Sequence, residues 1–207
     1  MRIIAGSLKG RIIPNVFDIK NVSPSSDFLK GVLFNVIGDD INGAVFCDLY
    51  AGTGNIGFEA VSRGAAFCIF VETSPELISI IIKLSKQFGI ENKVKIIKKD
   101  ALKALEKGIL SEYKPDYIFI DPPYGKGFCE TAINKIITEY DMEEKNGNED
   151  KCRKYDNINI IVQHDKHEIL SLEYPPYKLI NKKTHGKSFL SFYRADYFKN
   201  SNRLSSF

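Results

Sequence analysis

Four consecutive residues, Asp121-Pro122-Pro123-Tyr124, carry the strongest chemical signal in the sequence. They follow an apolar run typical of a buried strand, and two successive prolines end a strand and stiffen the backbone. A carboxylate and carbonyl acceptors fixed in this way could hold the N–H groups of a planar exocyclic amine and aim its lone pair at an electrophile. The ring of Tyr124 offers a face for base stacking. A turn that merely ends the strand would explain the prolines alone.

A glycine-rich turn, Gly52-x-Gly54-x-x-Gly57, lies between a predicted strand and a predicted helix, which is the setting of a dinucleotide-binding fingerprint. Glu72 stands 20 residues after Gly52, at the end of the next predicted strand. A carboxylate there can accept hydrogen bonds from both ribose hydroxyls of an adenosine. The pattern therefore predicts a nucleoside cofactor, and the alternative is a tight turn without a ligand.

Asp48, four residues before the first glycine, favours one cofactor over another. A carboxylate beneath the loop repels a pyrophosphate but suits the ammonium group of a methionine moiety. Asp100 and Ala101 follow the third predicted strand and are placed to contact the edge of an adenine ring, although Asp100 could also cap a helix. These residues favour S-adenosylmethionine over NAD. The predicted cofactor site comprises Asp48, Gly52, Gly54, Glu72, Asp100 and Ala101.

Alternating strands and helices must position these residues. Near-continuous runs of Ile, Val and Phe between helical periodicities indicate a parallel sheet covered on both faces. The predicted strands are residues 44–49, 67–71, 93–97, 116–120 and 158–162, followed by a hairpin of 177–182 and 189–194. The fold class is α/β: a Rossmann-like, doubly wound, mostly parallel seven-stranded sheet that ends in an antiparallel hairpin.

The chain is predicted to have two parts, residues 1–22 and residues 23–207. In the first, residues 2–5 and 11–14 form a β-hairpin extension. Ser25 is then predicted to cap a helix that ends before Gly38. In the second part, the α/β domain, residues 141–157 hold ten charged residues in seventeen. Without an apolar period, this segment is predicted to be a flexible surface loop followed by the fifth strand.

Composition limits the class of protein. The chain has 207 residues, 43% of them hydrophobic and 27% charged, which fits one globular domain and excludes collagen and coiled coil. No run of residues is typical of a signal peptide or a membrane span. The net charge of +3 divides into +3 over residues 1–31, −6 over 32–177 and +6 over 178–207. The role of the C-terminal excess stays open.

The four cysteines form no CxxC pair, which predicts buried thiols in a reducing cytoplasm and no metal site. Because no cysteine lies in the proline-containing motif, and Cys129 is the nearest, group transfer is expected to be direct, without a covalent enzyme intermediate. His164 and His167 have no third metal ligand nearby and are predicted to be surface or loop residues. His185 lies in the predicted hairpin turn without a defined role.

Several motifs together resemble the RsmD family of bacterial methyltransferases. They are Met1-Arg2-Ile3-Ile4-Ala5-Gly6, Lys9-Gly10-Arg11, Ser26-Asp27, Leu33-Phe34-Asn35, Asp48-Leu49-Tyr50-Ala51-Gly52-Thr53-Gly54, Gly57, Glu59-Ala60, Ser62-Arg63-Gly64-Ala65, Asp121-Pro122-Pro123-Tyr124 and Ser191-Phe192-Tyr193-Arg194. The resemblance runs from Arg2 to about Arg194. It implies a cytoplasmic, monomeric enzyme that uses S-adenosylmethionine to methylate N2 of a guanine in 16S ribosomal RNA, either free or in a partly assembled 30S subunit.

The resemblance also implies roles for individual residues. Asp121 to Tyr124 would hold the guanine amine, and the predicted cofactor residues would keep their role. The residues expected to contact RNA are Arg2, Lys9, Arg11 and Lys30. Residues 23–31 read Ser-Pro-Ser-Ser-Asp-Phe-Leu-Lys-Gly where the family has Arg-Pro-Thr-Ser/Thr-Asp-Arg-x-Arg-Glu. Lys30 keeps a charge without the bidentate grip of arginine, which implies weaker RNA binding or a shifted substrate site.

Two other functions stay open. The chemistry suits any aromatic amine, so the chain could be an adenine-N6 methyltransferase acting on DNA or RNA. It could also be a non-catalytic RNA-binding protein of ribosome assembly that retains the fold. An NAD-dependent dehydrogenase is the least favoured.

Overall fold

The structure, a computed structural model, describes residues 1–14, 24–123, 127–145, 158–186 and 188–195. The strands of this part of the chain are β1 (Val45–Asp48), β2 (Phe67–Glu72), β3 (Val94–Lys98), β4 (Tyr117–Ile120), β5 (Asn159–Asp165), β6 (Glu173–Tyr174), β7 (Tyr177–His185) and β8 (Ser188–Ala195). They form one sheet in the order β3-β2-β1-β4-β5-β8-β7-β6.

The sheet confirms the predicted fold class. β1 to β5 pair in parallel, and β8 and β7 continue the sheet antiparallel to β5. The predicted seven strands are present, and the two-residue β6 adds an eighth within the described residues. All four residues of β4 are buried, as expected for a central strand covered on both faces.

Helices cover both faces of the sheet. They are α1 (Pro24–Ile37), α2 (Asn55–Ser62), α3 (Pro75–Phe88), α4 (Ala101–Glu106), α5 (Ile109–Tyr113) and α6 (Phe128–Lys145). Residues of α1, α2 and α3 join one hydrophobic cluster, and residues of α4, α5 and α6 join the other. α3 begins after Ser74, whose hydroxyl accepts a hydrogen bond from Leu77 N–H, and it ends at Gly89, which has φ 67°.

Three features of the helices differ from the prediction. α1 begins at Pro24, so Ser25 lies inside the helix instead of capping it. α5 was not predicted. α6 continues to Lys145, so residues 141–145 of the predicted loop are helical. Met, Glu and Lys, which fill four of these five positions, have high helix propensity. Residues 146–157 lie outside the described residues.

The N-terminal segment forms a minimal hairpin. A single bridge pairs Arg2 with Ile12, and Ile3 N–H donates to Arg11 O at 3.0 Å. Its apolar side chains Ile3, Leu8 and Ile13 are buried in the cluster that α1, α2 and α3 form. The segment therefore packs on the sheet's helical layer.

The carboxyl ends of β1 to β5 share one edge of the sheet, called the carboxyl edge here. Because β8 runs antiparallel to β5, with Ser188 paired to Asp165, β8 begins at the same edge. The turn that joins β7 to β8 therefore lies at the carboxyl edge too.

His164 is buried, so its predicted surface position was wrong. Its Nε2 lies 2.9 Å from Ser191 Oγ, and its Nδ1 lies 2.9 Å from Glu168 O. The sequence did not reveal this burial because the ring contacts β8 through Ser191, which lies 27 residues further along the chain. His167 is exposed, as predicted.

No helix among the described residues is long and apolar enough to cross a membrane.

Candidate functional site

A cavity of about 490 Å³ opens at the carboxyl edge. Its size falls in the range of small-molecule sites. Its lining is Leu49, Tyr50, Gly52, Val71, Glu72, Thr73, Leu77, Lys99, Asp100, Ala101, Leu102, Asp121, Pro122, Pro123 and Phe128. The structure thus brings together seven of the residues predicted for cofactor and amine binding. Asp48 and Gly54 lie beneath this surface and are buried, and Tyr124 lies outside the described residues.

The glycines of the turn have different physical roles. Gly52 has φ 55°, and a Cβ added there would meet nothing within 4 Å, so this position leaves the cavity open. A Cβ on Gly57 would lie 2.2 Å from Phe70 Cε1, and one on Gly54 would lie 2.7 Å from Phe58 Cε2. Only Gly52 therefore fits the expectation of close approach to a ligand, while the other two let α2 pack against β2.

Glu72 is held in a fixed orientation at the end of β2. Its Oε2 accepts a hydrogen bond from Gly52 N–H at 2.8 Å. Its Oε1 accepts from the N–H groups of Thr73 at 2.7 Å and Ser74 at 2.9 Å. Because these donors are backbone groups of two loops, the carboxylate and the glycine turn form one rigid wall of the cavity.

Asp48 is a buried carboxylate with an unusual pKa. Its side chain accepts a hydrogen bond from Gly57 N–H at 3.2 Å. Its pKa is raised from 3.8 to about 7, chiefly by burial and also by the nearby carboxylates of Asp121 and Glu72, against the opposing effect of the hydrogen bond from Gly57. A positive charge bound above Asp48 would therefore stabilise its ionised form.

Asp121 follows β4 directly and lines the cavity. Its pKa is raised from 3.8 to about 7 by burial. Pro122 is buried and Pro123 is exposed, so the two prolines fix the backbone at the point where the chain leaves the sheet. Asp121 and both prolines therefore line the same cavity as Glu72 and Asp100.

Asp100 lies between α4 and the cavity. Its Oδ1 accepts a hydrogen bond from Lys103 N–H at 3.1 Å, which caps α4. It also lines the cavity, next to the buried Ala101.

Two aromatic residues of the cavity were not singled out from the sequence. Phe128 is the first residue of α6, and Tyr50 precedes the glycine turn. Burial raises the pKa of Tyr50 to about 12, so its phenol is neutral at physiological pH. The sequence signal for them was their position, since Tyr50 lies just before the glycine turn and Phe128 just after the proline-containing motif. Sites for planar ligands are commonly lined by aromatic side chains.

The prediction that Lys30 contacts RNA was wrong. Its side chain is fully buried. The ammonium group donates to Arg2 O and to Asn55 Oδ1, the latter at 3.0 Å. It also lies 3.2 Å from Asp27 Oδ1 and 3.8 Å from Glu59 Oε2. These partners surround the charge, so an RNA phosphate has no access to it.

Arg2, Lys9 and Arg11 are exposed. Arg2 O contacts Lys30, which also binds Asn55 at the start of α2. Lys9 follows a turn that docks on Ser62 at the end of α2, where Ser7 N–H donates to Ser62 O at 2.7 Å. The eight-residue helix α2 separates the two contacts by about 10 Å.

Glu59 is a structural residue that the sequence did not identify. It is fully buried in α2. Its carboxylate accepts hydrogen bonds from Ile4 N–H at 2.9 Å, Ala5 N–H at 3.1 Å and Arg63 Nε at 2.7 Å. An acidic residue four positions before an arginine was the signal available in the sequence.

A second cavity, of about 600 Å³, lies at the opposite edge of the sheet. Its lining includes Asp39, Asp40, Asp116, Asn159 and Arg194. None of the predicted cofactor or amine-binding residues lines it, so its larger volume does not make it the candidate site.

The described cysteines Cys47, Cys68 and Cys129 are free and buried. Burial raises the pKa of each thiol above its ordinary range, which makes them poor nucleophiles. The described residues include no group of three His, Cys, Asp or Glu side chains that could hold a metal ion.

Comparison with known proteins places this geometry in a family. The family model described as "Conserved hypothetical protein 95" matches residues 1–194. The Bacillus subtilis protein named "Putative rRNA methyltransferase YlbH" is 31% identical over 194 residues, covering 94% of this chain and 98% of the relative. The Buchnera aphidicola protein named "Ribosomal RNA small subunit methyltransferase D" is 37% identical over 134 residues, covering 65% of this chain and 68% of the relative.

A solved structure described as "Putative methyltransferase yhhF from Escherichia coli" has the same fold. It aligns with a TM-score of 0.70 at 23% identity, covering 95% of this chain and 98% of the other. Because the family model spans residues 1–194 and the Bacillus subtilis relative is 31% identical over 94% of the chain, the chain belongs to the RsmD family of methyltransferases.

Proposed function

We propose that this protein is an S-adenosylmethionine-dependent methyltransferase that modifies N2 of a guanine in small-subunit ribosomal RNA. One observation carries the proposal. Glu72 and Asp100 line the same cavity as Asp121 and Pro122, so a nucleoside-binding wall and a set of amine acceptors face one space. The names of the relatives point to ribosomal RNA as the substrate.

The residues of the cavity fit the cofactor. The fixed carboxylate of Glu72 can accept both ribose hydroxyls, and Asp100 with Ala101 can edge the adenine. Asp48 supplies negative charge beneath the turn, where the methionine ammonium would lie. When bound, S-adenosylmethionine supplies a methyl group already activated on a sulfonium.

Asp121 would orient the amine of the base. In its ionised form it accepts a hydrogen bond from an N–H group of the guanine amine. The carbonyl groups of Pro122 and Pro123 offer further acceptors on a rigid backbone. Hydrogen bonds from the amine hydrogens to these acceptors reduce the conjugation of the nitrogen lone pair with the ring and direct it toward the methyl group. Alignment of this kind is a large part of catalysis when the electrophile is already activated.

The base must leave its stack to reach Asp121, because the cavity lies within the edge of the sheet and not on a flat surface. Enzymes that act on a base take it from a loop or extrude it and then stack it on apolar and aromatic side chains. Phe128 and Tyr50 are the described aromatic residues that line the cavity.

Methyl transfer tests the proposal directly. Purified protein is incubated with labelled S-adenosylmethionine and small subunits that lack this methylation, and the modified nucleoside is identified by mass spectrometry. We expect N2-methylguanosine with the wild-type protein and none with Asp121→Ala. N6-methyladenosine would select an adenine methyltransferase, and RNA binding without label, unchanged in Asp121→Ala, would select a non-catalytic RNA-binding protein.

A further inference from the structure

The turn between β7 and β8 lies at the same edge of the sheet as the catalytic cavity. Ser188, the first residue of β8, pairs with Asp165 at the end of β5, and β5 is the neighbour of β4. From β4, which leads into Asp121, three strand spacings reach β7, a distance of about 14 Å.

Positive charge is concentrated at this turn. Lys182 pairs with Ser191 and Lys183 with Leu190 at the end of the hairpin nearest the carboxyl edge. Both lysines are exposed, and because neighbouring residues of a strand point to opposite faces, they place positive charge on both faces of β7 just before the turn. Lys166, just after β5, is also exposed. These three lysines and the residues 184, 186 and 188–190 are called the hairpin tip below.

No ion pair among the described residues engages Lys166, Lys182 or Lys183. The acidic residue nearest in sequence, Asp165, accepts hydrogen bonds from His167 N–H at 2.8 Å and contacts His167 Nδ1 at 2.7 Å. The hairpin tip therefore presents net positive charge to solvent.

The hairpin tip is held rigidly. Lys182 Nζ lies 3.9 Å from the centre of the Phe189 ring, a cation–π contact that fixes the ammonium group on the strand. Below it, the buried His164 joins Ser191 of β8 to Glu168 of the following loop. An ordered cation loses less conformational freedom when it binds a ligand.

We propose that the hairpin tip binds RNA phosphates next to the target base, as a second RNA contact besides the N-terminal segment. This inference rests on the proposed function, because the partner is the RNA whose base occupies the cavity. It assigns a role to part of the C-terminal positive charge. Phosphate binding accounts for charge at this particular place, within about 14 Å of the cavity-forming strand β4.

Protection of a sheet edge is the competing explanation. Residues of β7 beyond Lys178 have no strand on their outer side within the described part of the chain, and lysines on an edge strand discourage pairing with other molecules. That role does not require the lysines to lie at the cavity end of the strand. It also does not involve Lys166, which is not on β7.

The salt dependence of RNA binding distinguishes these explanations. Affinity for an rRNA fragment that contains the modified nucleotide is measured by fluorescence anisotropy across a salt series, with S-adenosylhomocysteine present. For Lys182→Ala/Lys183→Ala we expect about tenfold weaker binding at moderate salt and a slope of log K against log salt that is smaller by roughly 1.4 to 1.8. The thermal midpoint and the affinity for S-adenosylhomocysteine should stay unchanged.

Lys86→Ala/Lys93→Ala is the matched control. Both lysines are exposed, and they lie at the end of α3 and just before β3, at the opposite edge of the sheet. A control that weakens binding as much as the hairpin variant, or a hairpin variant with the wild-type slope, would overturn the inference. If the wild-type protein neither binds nor methylates the RNA, the proposed function itself fails, which is a distinguishable result.

Discussion

The backbone N–H of Gly52 donates a 2.8 Å hydrogen bond to the carboxylate of Glu72. The two residues are 20 positions apart in the chain, yet this bond makes the glycine turn and the end of β2 a single wall of the cavity. A ligand that uses Glu72 therefore meets a carboxylate already oriented, which lowers the entropic cost of binding.

Replacing Glu72 should weaken cofactor binding strongly. Glu72→Ala removes the acceptor for the ribose hydroxyls and leaves Gly52 N–H without its partner. Because hydrogen bonds to charged groups contribute about 1.5 to 3 kcal/mol each, we expect the affinity for S-adenosylhomocysteine to fall by roughly 10- to 100-fold, measured by calorimetry. Glu72→Gln keeps one acceptor oxygen, so its affinity for S-adenosylhomocysteine should fall less than that of Glu72→Ala. Equal affinity in wild type and Glu72→Ala would contradict the assigned site.

Cofactor binding should depend on pH through Asp48 and Asp121. Both have a pKa raised to about 7, so at lower pH they are largely protonated and a bound cation must displace their protons. The affinity for S-adenosylmethionine should therefore rise from pH 6 to pH 8. Because S-adenosylhomocysteine lacks the sulfonium charge, its affinity should change less. The apparent pKa belongs to the coupled pair.

Calorimetry in buffers of different ionisation enthalpy measures the protons released. We expect more protons released near pH 6.5 with S-adenosylmethionine than with its product. Asp121→Asn should reduce this difference. Identical release by both ligands in the wild-type protein would show that the carboxylates do not sense the sulfonium.

Lys30 should matter for stability and not for direct RNA contact. Lys30→Ala leaves the carboxylate of Glu59 buried with Arg63 as its remaining charged partner, and breaking a buried ion pair costs about 3 kcal/mol. Urea denaturation should show a loss of that order. Arg2→Ala, which removes the exposed partner of the pair with Asp27, should cost less than about 1 kcal/mol. Comparable losses in the two variants would argue against the buried network.

Two glycine variants should separate packing from ligand access. Gly57→Ala places a Cβ 2.2 Å from Phe70, so it should lower the free energy of unfolding by about 1 to 3 kcal/mol or more. Gly52→Ala meets no atom within 4 Å, and its strain at φ 55° costs about 1 to 2 kcal/mol. We expect Gly52→Ala to lose more cofactor affinity than Gly57→Ala in the folded protein. The reverse order would mean that Gly57 approaches the ligand.

Much of the carboxyl edge was predictable from the sequence. Buried parallel strands are continuous apolar runs, so an acidic residue at the end of a run, such as Asp48 or Asp121, could be assigned to one edge before the sheet order was known. Glu72 followed from its spacing to Gly52. These residues are determined by local pattern, which a single sequence records.

Residues whose environment comes from distant segments were not predictable. Lys30 looks like an exposed helical lysine, but Arg2 and Asn55, 28 and 25 positions away, enclose it. His164 is buried because β8 returns beside β5. In both cases the deciding contact joins segments far apart in sequence, and no local periodicity reports it.

The docking of the N-terminal segment on α2 gives these two elements a shared stability. Ile4 and Ala5 donate their N–H groups to Glu59 within the helix, and Ser7 satisfies the carbonyl of Ser62 at the helix end. Local opening of one element therefore removes hydrogen bonds from the other. The backbone amides of residues 4, 5 and 7 should exchange with solvent at the rate of the α2 amides, so that the beginning of the chain and the helix after the glycine turn unfold as one cooperative unit.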